Sequence, residues 1–177
     1  MNLKDFIPER HSKENTAKMV ALIGSNKKLF GELISFIFTE DKKLAPRAAW
    51  IASEISKLHP ELIKPHIKDL VNNLQKNNTD EAVKRNSLRI LQWVNIPPSL
   101  HGNLMNICFD IIISGHEPPA VKANALTILD HLRERYPEIR DELKVVIESQ
   151  FEEESPAFKS RASKILKKLS VNKGSTT

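Results

Sequence analysis

Hydrophobic positions recur along this chain at steps of three and four residues rather than in the strict alternation of a half-buried strand. Val83, Ser87, Ile90, Leu91 and Val94 follow that spacing, as do Val121, Ala125, Ile128, Leu129 and Leu132. An α-helix turns once every ~3.6 residues, so each set falls on one helical face. The pattern predicts helices over 12–24, 26–39, 42–58, 60–76, 80–95, 97–114, 117–135, 137–153 and 156–170. No segment reads as a strand or a long linker. Residues 1–10 and the tail 171–177 (VNKGSTT) have little to bury and are expected to fray.

The helices repeat. PRAAWIASEISKL from Pro46, KRNSLRILQWVNI from Lys84, KANALTILDHLRE from Lys122 and SRASKILKKLS from Ser160 align without gaps. The alignment puts Arg47, Arg85, Ala123 and Arg161 in register, three successive steps of 38 residues. A small residue sits mid-segment each time, at Ala49, Ser87, Ala125 and Ser163. Such a residue lets a neighbouring helix approach closely. A second set of helices lies between them, opening at Pro60, Pro97 and Pro137. A period near 40 carried by helices alone implies an all-α fold, an α–α superhelix of about four and a half helical hairpins and nine helices. The expected organisation is one repeat domain over 1–177: a half repeat at 12–24, then 26–58, 60–95, 97–135 and 137–170, with 171–177 as a flexible tail.

Proline punctuates this pattern. Of the ten prolines, Pro46, Pro60, Pro97, Pro98, Pro118, Pro119, Pro137 and Pro156 fall at or near predicted helix starts, where the missing N–H costs nothing. Pro65 lies one turn inside helix 60–76 and predicts a kink. Gly24-Ser25-Asn26 reads as a C-cap followed by an N-cap, and residues 77–80 and 114–117 read as capped turns.

These residues resemble the HEAT family, whose first helix carries Leu-x-Pro-x-Leu and whose second opens with Val-Arg-x-x-Ala-x-x-x-Leu. Ile63-Lys64-Pro65-His66-Ile67 is similar to the first motif, and Val83-Lys84-Arg85 with Ser87 and Leu91 is loosely similar to the second. The resemblance covers 42–170 well and 12–41 weakly, and it implies architecture rather than activity. The RAAW and SRA segments also resemble short bacterial HEAT-like proteins, some of which carry an adenylosuccinate lyase label. The lyase signature Ser-Ser-x-Met-Pro-x-Lys-x-Asn is absent, so that activity does not carry over.

Composition narrows the class without choosing a function. Hydrophobic residues make up 40% and charged residues 28%, which suits a globular chain. No apolar run approaches the ~20 residues of a membrane helix, so no membrane association is expected. The start, MNLKDFIPER, is charged and does not read as a secretory signal. With Cys108 as the sole cysteine, no intramolecular disulfide can form. A cytoplasmic monomer is expected.

Candidate chemistry is sparse. His11, His59, His66, His101, His116 and His131 form neither HExxH nor a Cys/His zinc pattern and read as surface or capping residues. No P-loop, GxGxxG or GxSxG arrangement occurs. Cys108 sits in NICFDIII and reads as core. Glu152-Glu153-Glu154 reads as a solvated helix end, Trp50 as core through its alignment with Leu88, and Trp93 aligns with His131. No catalytic residue, metal site or cofactor is expected, and an enzyme is disfavoured.

Charge distribution says more. The net charge is +5, yet the second helices of the hairpins, taken together, are strongly basic (the one at 117–135 is neutral) while the first helices, taken together, are net acidic. Lys42, Lys43, Arg47, Lys84, Arg85, Arg89, Lys122, Lys159, Arg161, Lys164, Lys167 and Lys168 supply most of the basic layer. In HEAT-like solenoids the second helices usually line the concave face. The layer is either a solvated surface with arginines tied into inter-repeat hydrogen bonds, or a basic trough for an acidic peptide or a phosphate backbone. Two partner classes follow. One is a protein or acidic peptide held by a scaffold. The other is nucleic acid, as in the HEAT-like DNA alkylation repair glycosylases, whose active-site segments have no counterpart here.

Overall fold

Polar side chains set several of the helix starts. Ser12 accepts the Asn15 amide at 3.0 Å, Asn26 accepts those of Lys28 and Leu29 at 3.0 and 3.1 Å, and Asp80 accepts those of Ala82 and Val83 at 2.8 and 3.4 Å. Each supplies an acceptor for amides that a first turn leaves open. In the computed structural model, which describes residues 2–10 and 12–171, these caps open α1 (Lys13–Ile23), α2 (Lys27–Ile37) and α5 (Glu81–Leu91). Asp41 does the same for α3 (Leu44–Leu58), accepting the Lys43 and Leu44 amides, both at 3.0 Å. α4 spans Ile67–Leu74. Pro98, Pro119 and Pro156 open α6 (Pro98–Ile113), α7 (Pro119–Arg135) and α9 (Pro156–Val171), and α8 spans Arg140–Gln150. Between α1 and α2, Gly24 takes a φ of 48° and ends the first helix, as its place before Ser25-Asn26 predicts. Among the described residues there is no strand. His11 and residues 172–177, expected as a surface histidine and most of a frayed tail, lie outside the described residues.

The chain groups into two compact units that divide between Ile96 and Pro97. In the first, α3 is central and packs against α1, α2 and α5, while α4 pairs with α5. Ala45, Ala48, Ala49 and Ala52 are buried on α3, and Ser87 is buried on α5. Small side chains there permit the close helix approach that the repeat predicts. Phe30, Leu33, Ile34 and Ile37 fill the space from α2, and Ile63, Ile67 and Leu70 fill it from the α4 side.

Two expectations fail in this unit. Of the segment 1–10, expected to fray, the described residues 2–10 are not simply frayed. Leu3–Phe6 forms a 3-10 turn, Leu3 and Ile7 are buried, and the Leu3 amide donates to Glu32 on α2 at 3.0 Å. The apolar pair had a partner remote in sequence. Pro65, for its part, does not kink a long helix. Pro60–Leu62 and Lys64–His66 form separate 3-10 turns, and the α-helix begins only at Ile67. A proline at that point removes a donor and crowds the preceding carbonyl, which shortens the helix from its front.

The second unit is two helical hairpins, α6 with α7 and α8 with α9. Within it α7 packs along α9 and α6 along α8. Leu104, Cys108, Ile112, Ala125, Leu126, Leu129, Leu143, Ile147, Phe158 and Ala162 form its core. The predicted helix 137–153 is bounded by two 3-10 turns, Pro137–Ile139 and Phe151–Glu153. His101 is buried rather than superficial, with Nδ1 2.9 Å from the Tyr136 hydroxyl and the two rings edge to face. Its polar tip has a partner, which makes burial tolerable.

Candidate functional site

The expected basic layer separates into residues held inside the fold and residues left to solvent. In the first unit, Lys42 and Lys43 are exposed in the turn before α3, and Arg47 is half-buried on α3. On α5, Lys84 and Arg85 each make contacts within the fold. Arg89 is more firmly held. Its Nη2 lies 3.1 Å from Glu54 Oε1, and its guanidinium sits 5.2 Å from the centre of the Trp50 ring. Trp50 in turn donates from Nε1 to Thr16 Oγ1 at 3.2 Å. Trp50 is therefore a half-buried brace linking α1, α3 and α5. Trp93 is 61% exposed, and the equivalent His131 is exposed too, so that repeat position faces water.

In the second unit the internal partners are stronger. Lys122, counted above in the basic layer, is only 5% exposed, and its Nζ is ion-paired with Glu154. This corrects the reading of Glu152-Glu153-Glu154 as wholly solvated, because Glu154 turns inward to meet the buried ammonium. Burial of either charge alone would be costly, and the pair answers that cost. Lys159 donates to the Glu152 carbonyl at 2.8 Å. Arg161 donates from Nη1 to the Ala123 carbonyl at 2.6 Å, across one 38-residue step of the repeat. Lys168 reaches Asp130 Oδ2 at 2.6 Å, across another 38 residues. Lys164 and Lys167 are exposed.

Four titratable groups outside the layer are clearly perturbed by their surroundings. Burial pushes the Cys108 thiol up, away from the thiolate a nucleophile requires. Burial against the Phe30 side lowers His66, with Asp69 opposing, so its imidazole favours the neutral form. Backbone amides of Leu44 and Lys43 hold the Asp41 carboxyl below its usual range. Burial raises Asp130, but hydrogen bonds from Lys168 and Arg133 and the charges of both outweigh it and hold the carboxyl below its usual value. Among the described residues no group of three His, Cys, Asp or Glu side chains could hold a metal ion.

Two of the clefts among the described residues bear on these elements. One, of about 400 Å³ in the first unit, is lined by the α2–α3 and α4–α5 turns, including Thr39, Asp41, Asn73 and Thr79. Asp41 and Asp80 there already cap helices. The other, of about 570 Å³ in the second unit, is lined by Arg133, Glu134, Arg140, Lys167, Lys168 and Val171. Sequence reasoning reached only the two lysines. The available signal for Arg133 was its i,i+3 spacing from Asp130; nothing marked Arg140.

No curated protein and no solved structure matches the chain. Among the described residues no helix is long and apolar enough to cross a membrane. The HEAT repeat domain profile matches residues 3–169, nearly the whole length. With paired helices in each unit and bonds that span the 38-residue step, the chain belongs to the HEAT repeat domain family.

Proposed function

We propose that the chain is a non-catalytic interaction module, a cytoplasmic monomer that holds an acidic segment of a protein partner against its second-helix faces. HEAT repeats generally serve as protein-interaction scaffolds, and the extended helical surface of a repeat suits that work. The observation that supports the choice of partner is that much of the basic layer is engaged within the fold. Arg89, Lys122 and Lys168 are each paired with a carboxylate, while Lys159 and Arg161 are spent on backbone carbonyls. A nucleic-acid backbone calls for a run of cations free to displace its counterions. A protein segment needs only a few well-placed points among apolar and polar contacts.

The test is capture of tagged chain with its partners from native lysate, with and without nuclease, followed by titration with generic duplex DNA at low and physiological salt. A protein partner that survives nuclease and negligible DNA binding at physiological salt are expected. Loss of every partner with nuclease, together with DNA affinity that falls steeply as salt rises, would instead make the basic layer a nucleic-acid surface.

A further inference from the structure

The second unit holds a buried arginine whose charge is only partly answered. Arg133 is 3% exposed, and among the described residues its only partner is Asp130, reached by Nε at 2.7 Å. Asp130 is shared, since its other oxygen takes Lys168 Nζ at 2.6 Å. One carboxylate therefore faces two cations, and among the described residues the terminal amino groups of Arg133 have no acceptor beside the cleft that Arg133 lines. Arg140 lines the same cleft, and its Nε is buried with no acceptor. A buried guanidinium donor left unpaired costs free energy unless something else accepts from it. Lys167 adds a further exposed ammonium, and among the described residues Glu134 is the sole carboxylate lining the cleft.

We propose that this cleft is an oxyanion site for a phosphomonoester, delivered as a phosphorylated side chain of the protein partner. It rests on the reading of the chain as an interaction module. Four cations stand against two carboxylates, Glu134 and Asp130, which leaves about two positive charges to be met. A phosphomonoester carries about −1.5 to −2 at neutral pH, whereas each phosphodiester of a nucleic acid carries about −1. Arginine forks match phosphate oxygens in pairs, and two arginines that line this cleft keep donors without a partner among the described residues. The volume of about 570 Å³ admits a phosphoryl group and the side chain that bears it.

The test uses the full chain labelled with nitrogen-15, observing the arginine Nε–H signals by NMR. Probes are inorganic phosphate, the capped tripeptide Ala-phosphoserine-Ala, its unphosphorylated form, a 12-base-pair duplex and vesicles containing anionic lipid. Phosphate and the phosphotripeptide are expected to shift the Arg133 and Arg140 signals saturably, with the phosphotripeptide at least tenfold tighter than Ala-Ser-Ala. Arg140→Gln and Lys167→Gln should each weaken it at least fivefold. If a variant fails to fold, the shifts in the unmodified chain decide. Equal response to the phosphorylated and unphosphorylated tripeptides overturns the proposal. So does response to the duplex or vesicles alone, or no response at all. A nuclease-resistant protein partner captured alongside silent arginine signals would sink this site while leaving the interaction module standing.

Discussion

The Lys122–Glu154 pair offers the sharpest quantitative test of how the second unit is held. Both side chains are nearly out of water, at 7% and 10% exposure, and the pair ties α7 to the segment leading into α9. Replacing Glu154 with Gln leaves a buried ammonium facing a neutral amide. Breaking a buried ion pair by removing one member costs about 3–5 kcal/mol, because the survivor is uncompensated. The small residual exposure of both ends favours the lower figure, about 3 kcal/mol. In a chain of 177 residues, where each kcal/mol moves Tm by about 2–4 °C, that is a drop of about 6–12 °C. Lys122→Met should fall by a similar amount. The double variant Lys122→Met/Glu154→Gln should recover most of the loss, since no buried charge then remains. Urea unfolding followed by circular dichroism, run on all four proteins, gives the coupling energy directly. Single losses below about 1 kcal/mol, or a double loss equal to the sum of the singles, would show that the pair is solvated and that its burial contributes nothing.

Three further outcomes follow from the same contacts. Asp130 titrates below its ordinary value of 3.8, so the stability it adds is complete above that value and is lost as pH falls through its lower folded value. Asp130→Asn should therefore be less stable at neutral pH and show a flatter acid limb below about pH 4; an unchanged limb would refute the linkage. Ala49 is fully buried on α3, and Ala49→Leu should cost about 1–3 kcal/mol by overpacking, read as a lower urea midpoint with unchanged slope. Ending the chain after Ser155 removes Phe158, Ala162 and Ile165 from the core of the second unit. Aggregation or a broad, non-cooperative melt is expected, and a soluble fragment with the original melt would overturn the packing described.

Much of this architecture was legible because it is periodic. The 38-residue step, the prolines that open helices and the small residues at Ala49, Ser87 and Ala125 are local or repeated signals, and each recurs in the structure. What was not legible depends on partners remote in sequence. Leu3 finds Glu32, His101 finds Tyr136 and Lys122 finds Glu154, at separations of 29, 35 and 32 residues. No helical pattern marks those meetings in advance. The cleft at Arg133 and Arg140 was hidden for a related reason. Charge counted along a helix does not say which cations are already answered, and Lys168 counted as free until Asp130 was seen beside it.

The bonds Arg161 to Ala123 and Lys168 to Asp130 have one more consequence. Ala123 and Asp130 are seven residues apart on α7, and Arg161 and Lys168 are seven apart on α9. Seven residues are close to two full turns, about 10 Å along each axis. A single bond between two helices is a pivot, but two at matched intervals act as a pair of rivets. They fix rotation as well as distance, and they reject a one-turn slip because it would break both at once. The arginine and lysine that look from the sequence like bait for an acidic partner thus proofread the alignment of the helices that carry them.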